Sequence, residues 1–336
     1  MGDVLHGMPA IAGLRAALPG CVIGWAVEPR WASLLQTGAG VGPLVDRVHL
    51  VRTKEWGRAP FSSATVRGIL ALRRELRAEE YDVCVDLQGS IKSAVIGRLA
   101  GAKRFVGPAA PREREARLLY GERVGVTERN VIGQACELVG AGVGASVRAA
   151  RVELPVEIEA EAWANEVLLG LAARRVSTAA LKGFVLIAPT AGWGAKEWGA
   201  ERFGALATGL MQAGFRVMVN KTAGGVSPVQ EEVARISGAE IVESTLPQMI
   251  ALTRRAALVV GGDTGPVHLA AALGRPVVAL FGPTDPARNG PEFVGARVTV
   301  LRDAGSLTDH KRREAIDPGL ERVRVEEVLA AALAML

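Results

Sequence analysis

The chain is poor in the residues that mark several protein classes. Its 336 residues hold three cysteines and two tyrosines, and aromatics make up only 4 %. Cys21, Cys84 and Cys136 lie far apart in apolar surroundings, with no CxxC pair and no metal-ligand spacing. They read as reduced core residues, not as a disulfide framework or a zinc site. No apolar run reaches the length of a membrane span and the first residues do not read as a secretory signal, so the expected setting is cytoplasmic. Despite a formal net charge of +5, no block of five Lys or Arg occurs. With so few tyrosines, this argues against nucleic acid and leaves an anionic membrane or an acidic substrate as a partner suited to the charge. No GxGxxG follows a strand, which disfavours a two-domain dehydrogenase. The glycine clusters at Gly38–Gly42 and Gly140–Gly144 read as surface loops.

What is present is globular and α/β in pattern. Hydrophobic residues make up 49 % and charged residues 22 %, and the length suits two domains better than one. Short apolar runs alternate with amphipathic stretches, as in Val22–Val27, Asp46–Val51, Val66–Glu79, Tyr81–Asp86 and Phe184–Ala188. Ala141–Val156 mixes Gly, Ala, Arg and Pro without periodicity and marks a boundary, giving domains of about 1–152 and 157–320 and a terminal helix over 321–336. Arg174–Lys182 reads as a polar connection, and His310 and Lys311 as solvated.

The most informative stretch is Val259–Pro286. Leu258-Val259-Val260 fits a buried parallel strand, Gly261 to Gly265 a tight turn, and Pro266 the first turn of a helix that Gly274 ends. Pro276–Leu280 is the next strand, and Phe281–Pro286 a second turn at a strand's carboxyl end. Two glycine-rich turns thus open at one sheet edge, one of them at a helix N-terminus, where free amides and the helix dipole favour an anion. Thr264 and Thr284 add hydroxyls, and His268 lies about one turn inside the helix. A diphosphate seat and an ordinary capped βαβ unit both fit. At the start of the chain, Gly2 and Asp3 precede a helix with Pro9 near its beginning and Pro19-Gly20 at its end. Asp3 is there either a plain cap or a functional carboxylate. Lys54, Trp56, Arg58 and Phe61 fall in a loop after the second strand.

Three stretches in order, MGDVLH with Pro9-Ala10, DLQGSIKS (Asp86–Ser93) and GGDTGPVHLAAALGRPVVALFGPTDP, resemble the heptosyltransferase family, glycosyltransferase family 9, of lipopolysaccharide core assembly. Arg112-Glu113 followed by Leu118-Leu119-Tyr120 is a weaker match. The resemblance implies a GT-B fold, two facing Rossmann-like domains, with acceptor on the first and nucleotide-sugar on the second. The terminal helix would pack back on the first domain. Members carry an apolar first strand ahead of MGDVLH that this sequence does not contain.

The resemblance makes Asp3 the general base and assigns Lys54, Arg58, Gln88, Lys92 and Arg112 to the acceptor. Thr190, Lys196, Asp263, Thr264, Gly265 and His268 fall to the donor. Where relatives hold the ribose with a Glu after GxP, this chain reads Gly225 to Glu232, with Gln230 or Glu231 at that place. No DxD pair lies near the donor loop, so cations and amides rather than a metal are expected to face the diphosphate. The implied reaction is inverting transfer of heptose from ADP-heptose to Kdo-bearing lipid A or the heptose inner core, by a cytoplasmic enzyme peripheral to the inner membrane. A non-transferring sugar-nucleotide enzyme such as an epimerase, and a non-catalytic sugar-nucleotide-binding protein, remain alternatives.

Overall fold

The computed structural model describes every residue except 174–181, 223–226 and 309–314. The polar connection after Arg174, Gly225, His310 and Lys311 therefore lie outside the described residues. The chain forms two compact units, one built from Asp3–Pro155 and one from Val156–Leu336.

The first unit opens with α1 (Gly2–Ala17). The helix starts at Gly2, not near Pro9, so Asp3 stands in its first turn and Pro9 in its interior. Proline there removes a helix hydrogen bond and costs about 3 kcal/mol. Burial of Leu5, Met8, Ile11 and Leu14, with Gly7, Ala10 and Gly13 covered as well, offsets that cost. Next come β1 (Gly24–Val27), the short hairpin β2 (Gln36–Thr37) and β3 (Gly40–Val41), and β4 (Arg47–Leu50). Residues 53–58, expected as loop, form α2 (Thr53–Arg58), whose Trp56 packs with Val51, Leu72 and Leu76. There follow α3 (Ser63–Ala78), β5 (Val83–Val85), α4 (Ile91–Ala100), β6 (Arg104–Pro108), β7 (Glu122–Val124) and α5 (Val131–Val143). Gly140 and Gly142 are buried within α5, not in a surface loop. A side chain on Gly142 would press to 2.9 Å from Val85, so the glycine lets the helix lie close on the sheet.

All strand pairs here except the hairpin are parallel, but they fall in two groups. β1 pairs with β4, and β5, β6 and β7 pair in that order, with no ladder joining the groups among the described residues. The strands at this break are poorly covered: Ala26 is exposed, and Val83, Cys84 and Val85 are half-buried.

The second unit comprises α6 (Ile158–Ala173), β8 (Phe184–Ala188), α7 (Ala200–Gln212), β9 (Arg216–Thr222), α8 (Pro228–Ser237), β10 (Glu240–Ser244), α9 (Leu246–Arg255), β11 (Leu258–Gly262), α10 (Gly265–Ala272), β12 (Val277–Leu280), α11 (Pro286–Asn289), β13 (Val298–Leu301), α12 (Pro318–Arg322) and α13 (Val325–Met335). Its six strands form one parallel sheet in the order β10-β9-β8-β11-β12-β13. Successive strands are added outward in one sense from β8 and in the other from β11, so the strand order reverses between them. In doubly wound sheets ligands bind outside the carboxyl ends of the strands at that point. Every residue of β8, β11 and β12 is buried, as expected of strands covered by helices on both faces. Val328 and Ala332 of α13 complete this same core.

Candidate functional site

The second unit gathers its polar groups at the β8–β11 switch point. Beyond β8 the chain passes Thr190, which is half-buried, and reaches Lys196 in a single helical turn, Gly194–Lys196. The turn is anchored by Trp198. That indole is fully buried, stacks edge-on to Phe203 at 5.0 Å and donates its Nε1–H to the Val323 carbonyl at 2.9 Å. Glu197 accepts the Ala191 amide at 3.1 Å and closes the loop. Gly262, at the end of β11, has no room for a side chain: a Cβ there would stand 2.8 Å from the Lys196 carbonyl. The glycine is what allows the Lys196 loop to lie against the β11 turn.

Asp263 ties these loops together. Its Oδ2 accepts Lys196 Nζ at 2.6 Å and Thr284 Oγ1 at 2.8 Å, and its Oδ1 accepts His268 Nε2 at 2.8 Å. The Asp263 side chain is 7 % exposed, His268 3 % and Lys196 16 %. Burial alone pushes the Asp263 carboxyl up, but the hydrogen bond and charge of His268 and the ammonium of Lys196 outweigh it. The group is held well below the usual carboxylate range. Lys196 also lies over the Trp193 ring at 5.5 Å. Thr264, Gly265 and Pro266 remain partly exposed at the start of α10, where the first helical amides have no intrahelical acceptor. Lysine, helix amides and hydroxyls converging at one sheet edge suit a polyanion such as a diphosphate.

Gln230, one of the two residues proposed for the ribose, is 4 % exposed and already committed. Its side chain caps α8 through the Ser227 amide at 2.9 Å and donates to the Asn220 carbonyl at 2.7 Å. Glu231 beside it is exposed.

In the first unit, Asp3 projects from the first turn of α1, 62 % exposed. Gln88 Nε2 donates to its Oδ2 at 3.1 Å and Arg112 Nη1 lies 3.9 Å from the same oxygen. Three sequence-separated residues assigned to one site thus meet. Lys54 and Arg58 on α2, and Lys92 in the first turn of α4, are exposed, and no contact among the described residues ties them to Asp3. Sequence reasoning gave no role to Trp193, whose only signal was its place three residues before Lys196. It also passed over Asp86 as a mere motif letter.

No group of three or more His, Cys, Asp or Glu among the described residues is placed to hold a metal ion. No helix there is long and apolar enough to cross a membrane.

The family model for glycosyltransferase family 9 (heptosyltransferase) matches residues 69–318. Lipopolysaccharide heptosyltransferase 1 of Escherichia coli K12 is 30 % identical over 298 residues, covering 86 % of this chain and 87 % of that protein. The solved structure of E. coli heptosyltransferase WaaC with ADP superposes with a TM-score of 0.76 at 25 % identity, over 100 % of this chain and 97 % of the other. A glycosyl transferase family 9 structure from Veillonella parvula shares the fold, with a TM-score of 0.79 at 18 % identity over 99 % and 93 % of the two chains. With its doubly wound second unit and its Lys196–Asp263–His268 cluster at the switch point, the chain belongs to glycosyltransferase family 9, the heptosyltransferases.

Proposed function

We propose that this glycosyltransferase moves a heptose from ADP-heptose to a hydroxyl of the lipopolysaccharide inner core, with inversion at the anomeric carbon. The observation that carries this reading is the buried Asp263 holding Lys196, Thr284 and His268 beside the free start of α10. Similarity to the WaaC chain, solved with ADP and with ADP-2-deoxy-2-fluoro heptose, supports the donor.

In this reading the departing ADP carries its new negative charge onto the diphosphate. Lys196, the Thr264 hydroxyl, the Gly265 amide and Thr190 stabilise that charge, and no metal is required. Asp263 does not itself meet the diphosphate, since two anions would repel. It holds the Lys196 ammonium in place, and His268 and Thr284 fix the carboxylate in turn. On the acceptor side Asp3 takes the hydroxyl proton as the oxygen attacks the anomeric carbon. Gln88 and Arg112 orient its carboxylate, leaving one oxygen for the substrate. Exposed Lys54, Arg58 and Lys92 meet the carboxylates and phosphates of an anionic glycolipid, and the +5 net charge favours docking at an anionic membrane surface.

Transfer from ADP-heptose to Kdo-bearing lipid A tests this directly. Lys196→Ala weakens donor binding about 10- to 100-fold, the worth of a charge-assisted bond. Asp3→Asn keeps donor affinity and lowers kcat about 100-fold or more. EDTA leaves the rate unchanged. Full activity of Asp3→Asn would remove the base assignment, and absence of ADP binding by calorimetry would remove the donor reading.

A further inference from the structure

Asp86 is 5 % exposed, carries no role in the reaction above, and accepts four hydrogen bonds. Its amide donates to the Val106 carbonyl at 2.9 Å, which fixes it to the sheet just past β5. Oδ1 accepts the Gln88 amide at 2.9 Å and the Gly89 amide at 3.1 Å. Oδ2 accepts Ser93 Oγ at 2.9 Å and Tyr120 Oη at 2.8 Å. Gly89 takes a φ of +66°, a left-handed conformation that lets the chain wrap around the carboxylate. Tyr120 is itself buried, edge-on to Phe105 at 5.3 Å, and burial followed by the nearby Asp86 charge drives its hydroxyl pKa up.

These bonds join two segments. The Gln88–Ser90 turn is clamped to the segment carrying Arg112: the Glu113 amide donates to the Gly89 carbonyl at 2.9 Å, and Glu113 Oε2 accepts the Ile91 amide at 2.8 Å. Tyr120, farther along that second segment, returns to Asp86. Gln88 and Arg112, the outer faces of the clamp, are the two side chains that reach Asp3. A buried carboxylate with four donors is rigid, and loss of its acceptors would leave amides and hydroxyls unpaired in a covered site.

We propose that Asp86 is a positioning residue for the acceptor side. It never touches substrate, but it sets where Gln88 and Arg112 stand and so orients the Asp3 carboxylate. The inference rests on the reading of Asp3 as the base.

The test pairs kinetics with structures. Asp86→Ala and the milder Tyr120→Phe are each made alone and in a Gln88→Ala/Arg112→Ala background. Asp86→Ala is expected to lower kcat about 10- to 100-fold with ADP affinity unchanged, since displacement of a reacting group by about an ångström costs that much. Tyr120→Phe lowers kcat less. In the double-alanine background, where Asp3 has already lost both neighbours, either change has less than about a twofold effect, because coupled residues do not add. Equal losses in both backgrounds would overturn the proposal and leave Asp86 a purely structural residue. Crystal structures of both variants give a readout independent of turnover. Displacement of Gln88 and Arg112 from Asp3 is expected, and unchanged positions in both would overturn it. Should Asp86→Ala fail to fold, Tyr120→Phe carries both measurements. Should the parent protein transfer nothing, the functional reading fails while the crystal structures still decide the positioning.

Discussion

At the scale of single residues, Asp263 is a buried charge of the second unit with its partners in place. Three donors converge on Asp263, and the net effect lowers its pKa. A carboxyl depressed in the folded state contributes stability that is present above its unfolded pKa, about 4, and is lost as pH falls through the folded value. The Lys196–Asp263 pair therefore holds through the neutral range and weakens only in strong acid. Asp263→Asn leaves Lys196 buried without its counter-charge and is expected to cost about 3–5 kcal/mol. It should also flatten the acid limb of the stability curve, measured by urea unfolding between pH 2 and 7. An unchanged midpoint at pH 7 would show that the pair contributes nothing. The sequence placed Asp263, Lys196 and His268 in one site, but treated them as parallel ligands. Only side-chain geometry shows a carboxylate in the middle with the others bound to it.

At the scale of elements, the two units differ in the continuity of their strands. Strands β8, β11 and β12 are buried along their whole length, whereas β5 is half-buried and β1 exposes Ala26. Because parallel strands alternate the direction of their backbone groups, Val83 and Val85 of β5, like Gly24 and Ala26 of β1, present edges that β6 and β4 do not use. Amides with little cover open locally at low cost. Hydrogen exchange followed by mass spectrometry should find β1 and β5 exchanging orders of magnitude faster than β8 and β11. Equal protection in both units would contradict this. The short apolar runs were legible as strands, and the first strand of the second unit falls on Phe184–Ala188 as read from the sequence. Pro9 and Gly140 misled because proline and glycine are weighed by local propensity, and here buried packing overrides it.

At the scale of the whole molecule, α13 has a structural importance that its bland Ala/Leu sequence conceals. Val328 and Ala332 are fully buried and Leu329 and Met335 pack against the same core, beside Trp198 and Leu320. Deleting Val325–Leu336 removes several side chains that each contribute about 1.5–3 kcal/mol when buried, a large share of a typical domain's stability. ADP binding and the near-UV circular dichroism of the second unit should both disappear, although no proposed ligand residue is touched. Retained binding would show that the helix is dispensable.

The sequence by itself determined the fold class, the family and the loops proposed for the chemistry. These rest on local signals, namely strand-length apolar runs, Gly-rich turns before helix starts, and three ordered motifs. What needed tertiary structure was every relation across long sequence distance. The order β10-β9-β8-β11-β12-β13 brings Lys196 beside Asp263, 67 residues away. Gln88 reaches Asp3 across 85 residues, and Asp86 reaches Tyr120 across 34. The Gln230 side chain turns inward to cap α8 and to meet the Asn220 carbonyl. Propensity and motif are properties of neighbouring residues. Which donor finds which carboxylate is set by how the sheet is threaded and what its core leaves uncovered.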